Sequence, residues 1–409
     1  MAVDMSVDLA GIKLKNPIII AAGNHTENGT IMAEVARYGP AAAVTKTIVA
    51  QPVPDILPCF AQVNGGFLNT VLSTIHPAEQ WWNEELPRAR EGNDMVIIVN
   101  LAGRWAEEAA ELAAQAEAAG ADMIEVPTVC PHMKEILEAM FPGTEMPQPG
   151  FTDPTPWAET FKAVTDTVNI PVIAKFSGGF MHNVREWAQA AVENGADGIT
   201  CCDSIGPALS IDIETGEPWL GGPRGVGGLT GPAIKPIVLR MVMEVAETVD
   251  VPVIGTGGIS SWKDAIEYFM AGATAVGMTT VGHLRGLKAY KKILTGIENY
   301  LQDRGYSSLE DIRGLTLRRI EERRLNNRIA ITEVVVPEVT DLCNGCGLCP
   351  RVCVFDAIQM VDKLAVIDAD KCYGCGLCVN VCGRPGAMLQ PYFGGIADPH
   401  PSPMAAPSP

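Results

Sequence analysis

Short apolar runs of strand length alternate along the chain with longer segments of helical character. The runs are Ile18–Ala22, Ala42–Lys46, Val96–Asn100, Met123–Val126, Val172–Phe176, Gly198–Cys202, Val253–Gly255 and Ala275–Met278. The clearest helical segments cover Trp105–Ala119, Val184–Asn194, Lys235–Thr248, Trp262–Met270 and Leu287–Gln302. One phrase marks the rhythm: a helix, then Gly-Ala-Asp or Gly-Ala-Thr (from Gly120, Gly195 and Gly272), then a strand. Its glycine suits the left-handed position that closes a helix. Eight strands alternating with helices predict a (β/α)8 TIM barrel over residues 1–320. A doubly wound sheet is the alternative. The barrel is preferred because the two Gly-rich turns able to hold a phosphate, at Gly257-Gly258 and from Gly277 to Thr280, follow the seventh and eighth strands.

Two insertions break the rhythm, 47–94 after the second strand and 131–156 after the fourth. Both leave strand C-termini, the face on which barrels build sites, so they are expected to act as lids. The segment 211–217 reads as a small hairpin, 321–336 as a linker, 337–392 as a second, α+β domain, and the Pro- and Ser-rich 393–409 as a disordered tail.

Charge narrows the partners. With 30 basic against 48 acidic side chains the net charge is −18, and nucleic-acid binding, which rests on neutralising phosphates, is set aside. No apolar run approaches the roughly 20 residues that span a bilayer, so a cytoplasmic protein is expected. Twelve cysteines in a reducing compartment are not expected to form disulfides, and eight of them crowd into 343–382.

Those eight form C-x2-C-x2-C-x3-C twice: Cys343, Cys346, Cys349 and Cys353, then Cys372, Cys375, Cys378 and Cys382. Three thiolates at such spacing wrap one face of a cubane, while the intervening glycines let backbone N–H groups approach the sulfurs. A structural zinc site is the plainer reading, but zinc modules seldom use this triplet-plus-one pattern. In the barrel, the strand C-termini carry Gly23, Lys46, Asn100, Cys130, Lys175, Asp203 with Ser204, Gly257 with Gly258, and Thr279 with Thr280. Glycine amides that receive a phosphate, together with lysines that stabilise an anionic reduced ring, suit a flavin. No strand is followed by G-x-G-x-x-G opening a helix, so a nicotinamide site is not expected.

The cysteine-rich segment resembles the two-cluster bacterial ferredoxin, which implies two 4Fe-4S clusters with crossed ligand sets: Cys343, Cys346, Cys349 with Cys382, and Cys372, Cys375, Cys378 with Cys353. Val354 and Gly383 stand where that family has proline. The barrel resembles the dihydroorotate dehydrogenase superfamily through Thr45-Lys46-Thr47, Gly66-Phe67-Leu68-Asn69, Cys130-Pro131-His132, Ala174-Lys175, Gly231–Pro236, Gly255–Ile259 and Ser307–Gly314. With its fused clusters the chain most resembles the pyrimidine-reducing end of the dihydropyrimidine dehydrogenases. That resemblance implies FMN held by Ala22, Gly23, Lys46, Asn100, Lys175, Gly228, Gly257, Gly258, Thr279 and Thr280. It implies a substrate held by Asn69, Asp203, Ser204 and His132, and Cys130 as the acid beside a ring carbon whose neighbour exchanges hydride with the flavin. The reaction implied is the reduction or formation of a C=C bond in a small cyclic amide, with electrons relayed through the clusters. A separate NAD(P)H-oxidising flavoprotein subunit or a soluble ferredoxin is the implied partner, within a homo- or hetero-oligomer.

Two positions depart from that pattern: Pro127 and Asp203-Ser204 stand where the family has Asn and Asn-Thr. The rival readings are a dihydroorotate dehydrogenase and a non-catalytic FMN and iron–sulfur electron-transfer subunit. Without the resemblance Cys130 would read as a core cysteine, as Cys201 and Cys202 do. Cys59 has no assignment, Asn100 serves either the flavin or the strand end, and His25 and His132 stand between site and loop.

Overall fold

The computed structural model describes residues 3–128, 153–180, 182–327, 333–384 and 386–389, and divides into two compact units, Met1–Arg318 and Arg319–Pro409. Eight parallel strands close the first unit into a barrel: β1 (Ile18–Ile20), β2 (Ala42–Val44), β3 (Val96–Asn100), β4 (Met123–Pro127), β5 (Val172–Phe176), β6 (Gly198–Cys201), β7 (Val253–Thr256) and β8 (Ala275–Met278). Each pairs with its sequence neighbours and β8 closes on β1, as the apolar runs predict. Ile19, Ile98, Ile124, Ile173, Ile199, Ile254 and Val276 are all buried, as in strands covered on both faces.

The repeated phrase has a structural explanation. Gly120, Gly195 and Gly272 take φ of 90°, 91° and 114°, which closes each helix in the left-handed region. The next residues then register the coming strand: the amides of Asp122, Asp197 and Thr274 donate to Ile97, Val172 and Val253 on the preceding strand. The Asp122 and Asp197 carboxylates accept the amides of the same Ile97 and Val172, at 2.7 and 2.9 Å. Outside the barrel, Trp157 stacks on Phe161 at 4.8 Å and packs against Phe176 and Trp187, sealing the helices 155–165 and 184–193 onto β5.

The first insertion supplies the strands Phe60–Val63 and Gly66–Asn69, which join Gly227–Thr230 and Ile205–Ala208 in an antiparallel sheet. Trp81, on the helical part of the same insertion, is fully buried and donates from Nε1 to Thr74. The segment 211–217 turns back on itself, with Ile211 bridging Pro218. Charged residues near the end of the first unit, read as a link between domains, are helical over Leu315–Leu325 with none of that helix buried. The tail and most of 131–156 lie outside the described residues.

The second unit repeats a short helix, Leu348–Val352 and Leu377–Asn380, each entered through a left-handed glycine (Gly347 and Gly376, φ 70° and 76°). Strands Ile358–Val361 and Leu364–Ile367 pair in register, as do Glu338–Val339 and Met388–Leu389. Its small core contains Cys349, Ile358, Ala365, Cys378 and Met388. None of the described cysteines forms a disulfide.

Candidate active site

A cavity of about 930 Å³ opens at the C-terminal ends of the barrel strands, large enough for a cofactor and a small second molecule together. Of the residues singled out from sequence, Ala22, Gly23, Lys46, Asn69, Lys175, Asp203, Ser204, Gly257, Gly258, Thr279 and Thr280 line it. Gly228 and Asn100 do not. Gly228 pairs with Asn69 across the antiparallel sheet, and its carbonyl accepts from Asn69 Nδ2 at 3.3 Å. Cys130 and His132 lie outside the described residues.

One end of the cavity is built from backbone. Gly257 and Gly258 take φ of 125° and 78°, and a Cβ on Gly258 would stand 2.8 Å from the Lys235 backbone, so only glycine fits. Tyr268 donates its hydroxyl to the Gly257 carbonyl at 2.5 Å, and burial pushes that phenol far up, keeping it a donor. Thr279 Oγ1 donates to the Ala21 carbonyl at 2.6 Å, joining the ends of β8 and β1. The hydroxyl of cavity-lining Thr256 is buried without a hydrogen-bond partner. A buried polar group in that state calls for an explanation, and glycine amides beside it suit a phosphate.

The wall carries two buried lysines. Lys46 donates to the Leu72 carbonyl and so fastens the first insertion to the end of β2. Lys175 lies 3.4 Å from Glu125, a carboxylate with 2 % of its side chain exposed. Glu125 also accepts from Asn100 Nδ2 and from Thr200 Oγ1, each at 2.7 Å. Four strands, β3 to β6, thus converge on one carboxylate that holds Lys175 at the cavity wall. Asn100 acts through this network, and its Oδ1 is buried without a partner.

At the insertion side, His283 lines the cavity and stacks on His25, ring centroids 4.2 Å apart, with Phe60 and Phe67 against it. Burial, then His283, depresses the His25 imidazole to about 4, so the stack is between neutral rings. Arg104 and Glu108 meet at the rim: Nη2 lies 2.8 Å and Nε 3.3 Å from Oε1, and the Arg104 amide donates to Oε2 at 2.6 Å.

In the second unit, Cys353, Cys372, Cys375 and Cys378 surround one small hollow. Cys349 feels the charges of Cys343, Cys346 and Cys382. This placement is compatible with the crossed ligand sets that the resemblance implies. Among the described residues no three His, Cys, Asp or Glu side chains converge closely enough for a single metal ion, whereas a cubane is larger and takes one thiolate at each iron.

Comparison with known proteins agrees with this geometry. Residues 4–301 match the family model described as dihydroorotate dehydrogenase. The chain belongs to the dihydroorotate dehydrogenase family. Residues 336–383 match a 4Fe-4S dicluster domain. Among curated relatives, the dihydroorotate dehydrogenase B (NAD(+)) catalytic subunit of Pyrococcus horikoshii is 36% identical over 315 residues, covering 77% of this chain and 98% of its own. Proteins of the same name from Methanothermobacter thermautotrophicus and Caldicellulosiruptor bescii are 33% and 37% identical over 76% of this chain and 98% of theirs. The expected superfamily is thus found, while the comparisons point to dihydroorotate dehydrogenases rather than to the dihydropyrimidine dehydrogenases that the fused clusters suggested. The protein is an oxidoreductase acting on CH–CH bonds, with FMN and two 4Fe-4S clusters as its cofactors. Among the described residues no helix is long and apolar enough to cross a membrane.

Sequence reasoning passed over Glu125 and Thr200, which hold Lys175, and the Arg104–Glu108 pair. A carboxylate inside an otherwise apolar strand-length run, and an Arg with a Glu four residues on, were the available clues.

Proposed function

We propose that the chain is the catalytic subunit of an FMN-dependent enzyme that interconverts the CH–CH and C=C forms of a six-membered cyclic amide, the chemistry that its relatives' names give for dihydroorotate. The observation that carries this reading is the single cavity in which buried Lys46 and Lys175 share space with Asn69, Asp203 and Ser204. FMN, when bound, supplies the two-electron acceptor or donor that amino-acid side chains lack.

The residues divide by chemistry. Gly257, Gly258, Thr279 and Thr280 receive the phosphate, with Ala22 and Gly23 beside them. Lys46 and Lys175 place positive charge against the electron-rich ring edge. Glu125, Asn100 and Thr200 fix Lys175, while Gly228 orients Asn69. Asn69, Asp203 and Ser204 orient the substrate. Cys130, three residues along the sequence from the last residue of the strand that carries Glu125, holds the proton exchanged with the ring carbon, and His132 is two residues on. Cys343, Cys346, Cys349 and Cys382 would hold one cluster and Cys372, Cys375, Cys378 and Cys353 the other, and the chemistry these would supply is one-electron transfer. Because the relatives are named as NAD(+)-linked catalytic subunits, a separate NAD-handling subunit in a cytoplasmic assembly is the proposed partner. A soluble ferredoxin is the other partner that the clusters suit.

Cys130→Ala tests the reading. Turnover with a cyclic amide should fall at least a hundredfold while flavin and iron content stay at wild-type levels; unchanged turnover would refute the acid assignment.

A further inference from the structure

A charge lies beneath the cavity as well as around it. Glu125 stands two residues before cavity-lining Pro127 on β4, so the two side chains share a face of that strand. Strand rise makes the step roughly 7 Å. Bonds from Asn100 Nδ2 on β3 and Thr200 Oγ1 on β6, each at 2.7 Å, place the Glu125 carboxylate inside the barrel, where it is buried. Lys175 Nζ lies 3.4 Å from it, and Lys175 lines the cavity above. A charge is kept in such a place only when it is paired and hydrogen-bonded, and this one is both.

A buried charge acts beyond its own contacts. At an effective dielectric constant of about 20, a unit charge roughly 8 Å away shifts an equilibrium by more than about tenfold. A lysine at the cavity wall favours electrons arriving on a ring bound there, and a carboxylate behind that lysine opposes them. This holds whatever else Lys175 meets, because it depends only on the charge of Glu125 and its distance from the cavity. Resting on the proposed reading of this cavity as a flavin site, we infer that Glu125 is a counter-charge that lowers the flavin's reduction potential, rather than only a prop that holds Lys175 in place. A lower potential makes the reduced flavin the stronger donor, to a ring C=C bond or to the clusters. Asn100 and Thr200 serve by keeping the carboxylate bonded where it has that effect.

Sulfite reads the electron affinity of the oxidised ring without turnover: its sulfur lone pair forms a bond to flavin N5, and the negative charge passes to the ring edge. Titrating anaerobic holoenzyme with sulfite while flavin absorbance is followed gives a dissociation constant for wild type, Glu125→Gln, Glu125→Asp, Lys175→Met and the double variant Glu125→Gln/Lys175→Met, all at one mildly alkaline pH. Lys46 and Asp203 are the same in every protein, so the differences report the exchanged charges. Glu125→Gln should bind sulfite about tenfold or more tightly than wild type, and its two-electron flavin potential should rise by about 30 mV or more, that tenfold converted. Glu125→Asp keeps the charge and should stay within about threefold of wild type. Lys175→Met should bind about tenfold or more weakly. The double variant strands neither charge, so its comparison does not depend on the folding of Glu125→Gln; it should bind about tenfold more tightly than Lys175→Met. Weaker or unchanged binding in Glu125→Gln, or a double variant no tighter than Lys175→Met, overturns the counter-charge and leaves the flavin reading standing. Lys175→Met that binds sulfite as tightly as wild type, or holoprotein that carries no flavin, overturns the placement of the flavin against this wall, and the counter-charge with it.

Discussion

Glu125 is the residue on which the geometry of Lys175 depends, and its replacement by glutamine should be among the costliest isosteric changes in the barrel. Three donors meet its carboxylate: Asn100 Nδ2 and Thr200 Oγ1 at 2.7 Å, and Lys175 Nζ at 3.4 Å. In Glu125→Gln the amide oxygen can still accept from Asn100, and the Thr200 hydroxyl can rotate to accept the new N–H. Each bond then falls from the charged to the neutral class, about 1 kcal/mol apiece. The larger loss is Lys175, whose buried ammonium is left without its carboxylate; breaking a buried pair from one side costs about 3–5 kcal/mol. Summing naively overshoots, so a total of roughly 3–5 kcal/mol is expected. Lys175→Met should cost a similar amount by stranding the carboxylate. The double variant removes both charges and should be at least about 2 kcal/mol more stable than the sum of the singles predicts. Urea unfolding followed by the fluorescence of buried Trp157 and Trp187, with flavin occupancy recorded for each protein, measures all four corners of the cycle. A Glu125→Gln variant within about 1 kcal/mol of wild type, or a cycle additive within about 0.5 kcal/mol, would refute the claim that this pair is a coupled unit.

Other consequences are as direct. Gly258→Ala forces a side chain onto φ of 78° and against the Lys235 backbone; it should cost about 1–3 kcal/mol and lower the FMN retained after gel filtration, and full retention with unchanged melting would contradict the cradle. His25 is held at about 4 against an ordinary 6.5, chiefly by burial, so the unfolded chain takes the proton first and stability falls as pH drops from 6.5 through 4. His25→Phe should flatten that part of the pH dependence of the urea midpoint, and superimposable curves would count against the buried neutral stack. If the clusters share crossed ligands, Cys382→Ser should remove the same paramagnetic signal of the reduced protein as Cys346→Ser, and Cys353→Ser the same one as Cys375→Ser; the opposite pairing would exclude crossing.

The barrel could be read from sequence because strands covered on both faces are apolar throughout, and because the Gly-Ala-Asp or Gly-Ala-Thr phrase does one job three times over. Gly120, Gly195 and Gly272 close helices while the following residues lock the strand that comes next. The 4Fe-4S dicluster domain was readable for a related reason: thiolates on one short loop keep their spacing in the chain. What could not be read is what the barrel assembles from a distance. Asn100, Glu125, Lys175 and Thr200 sit on four strands, and no local pattern announces that they meet. Asn100 was taken as a flavin contact or a strand end, and its bond to Glu125 was not foreseen. The pairing of Lys46 with Leu72, and of His25 with His283, depends likewise on where the first insertion and the last barrel turn come to rest. The charged residues from Arg318 looked like a link between domains, yet ion pairs such as Arg319 with Glu322 and Arg324 with Glu321 accompany a solvent-facing helix.

The central claim is that one chain couples a ring C=C bond, through FMN, to two clusters. The most direct measurement is anaerobic reduction of the holoenzyme by dithionite, removal of excess reductant, and addition of at least two equivalents of a cyclic amide, enough to take up the four electrons of one flavin and two clusters, while flavin and cluster absorbance are followed together. Reoxidation of both chromophores with formation of the saturated ring is the predicted result. Flavin and clusters that stay reduced with uracil, thymine and orotate alike would contradict it.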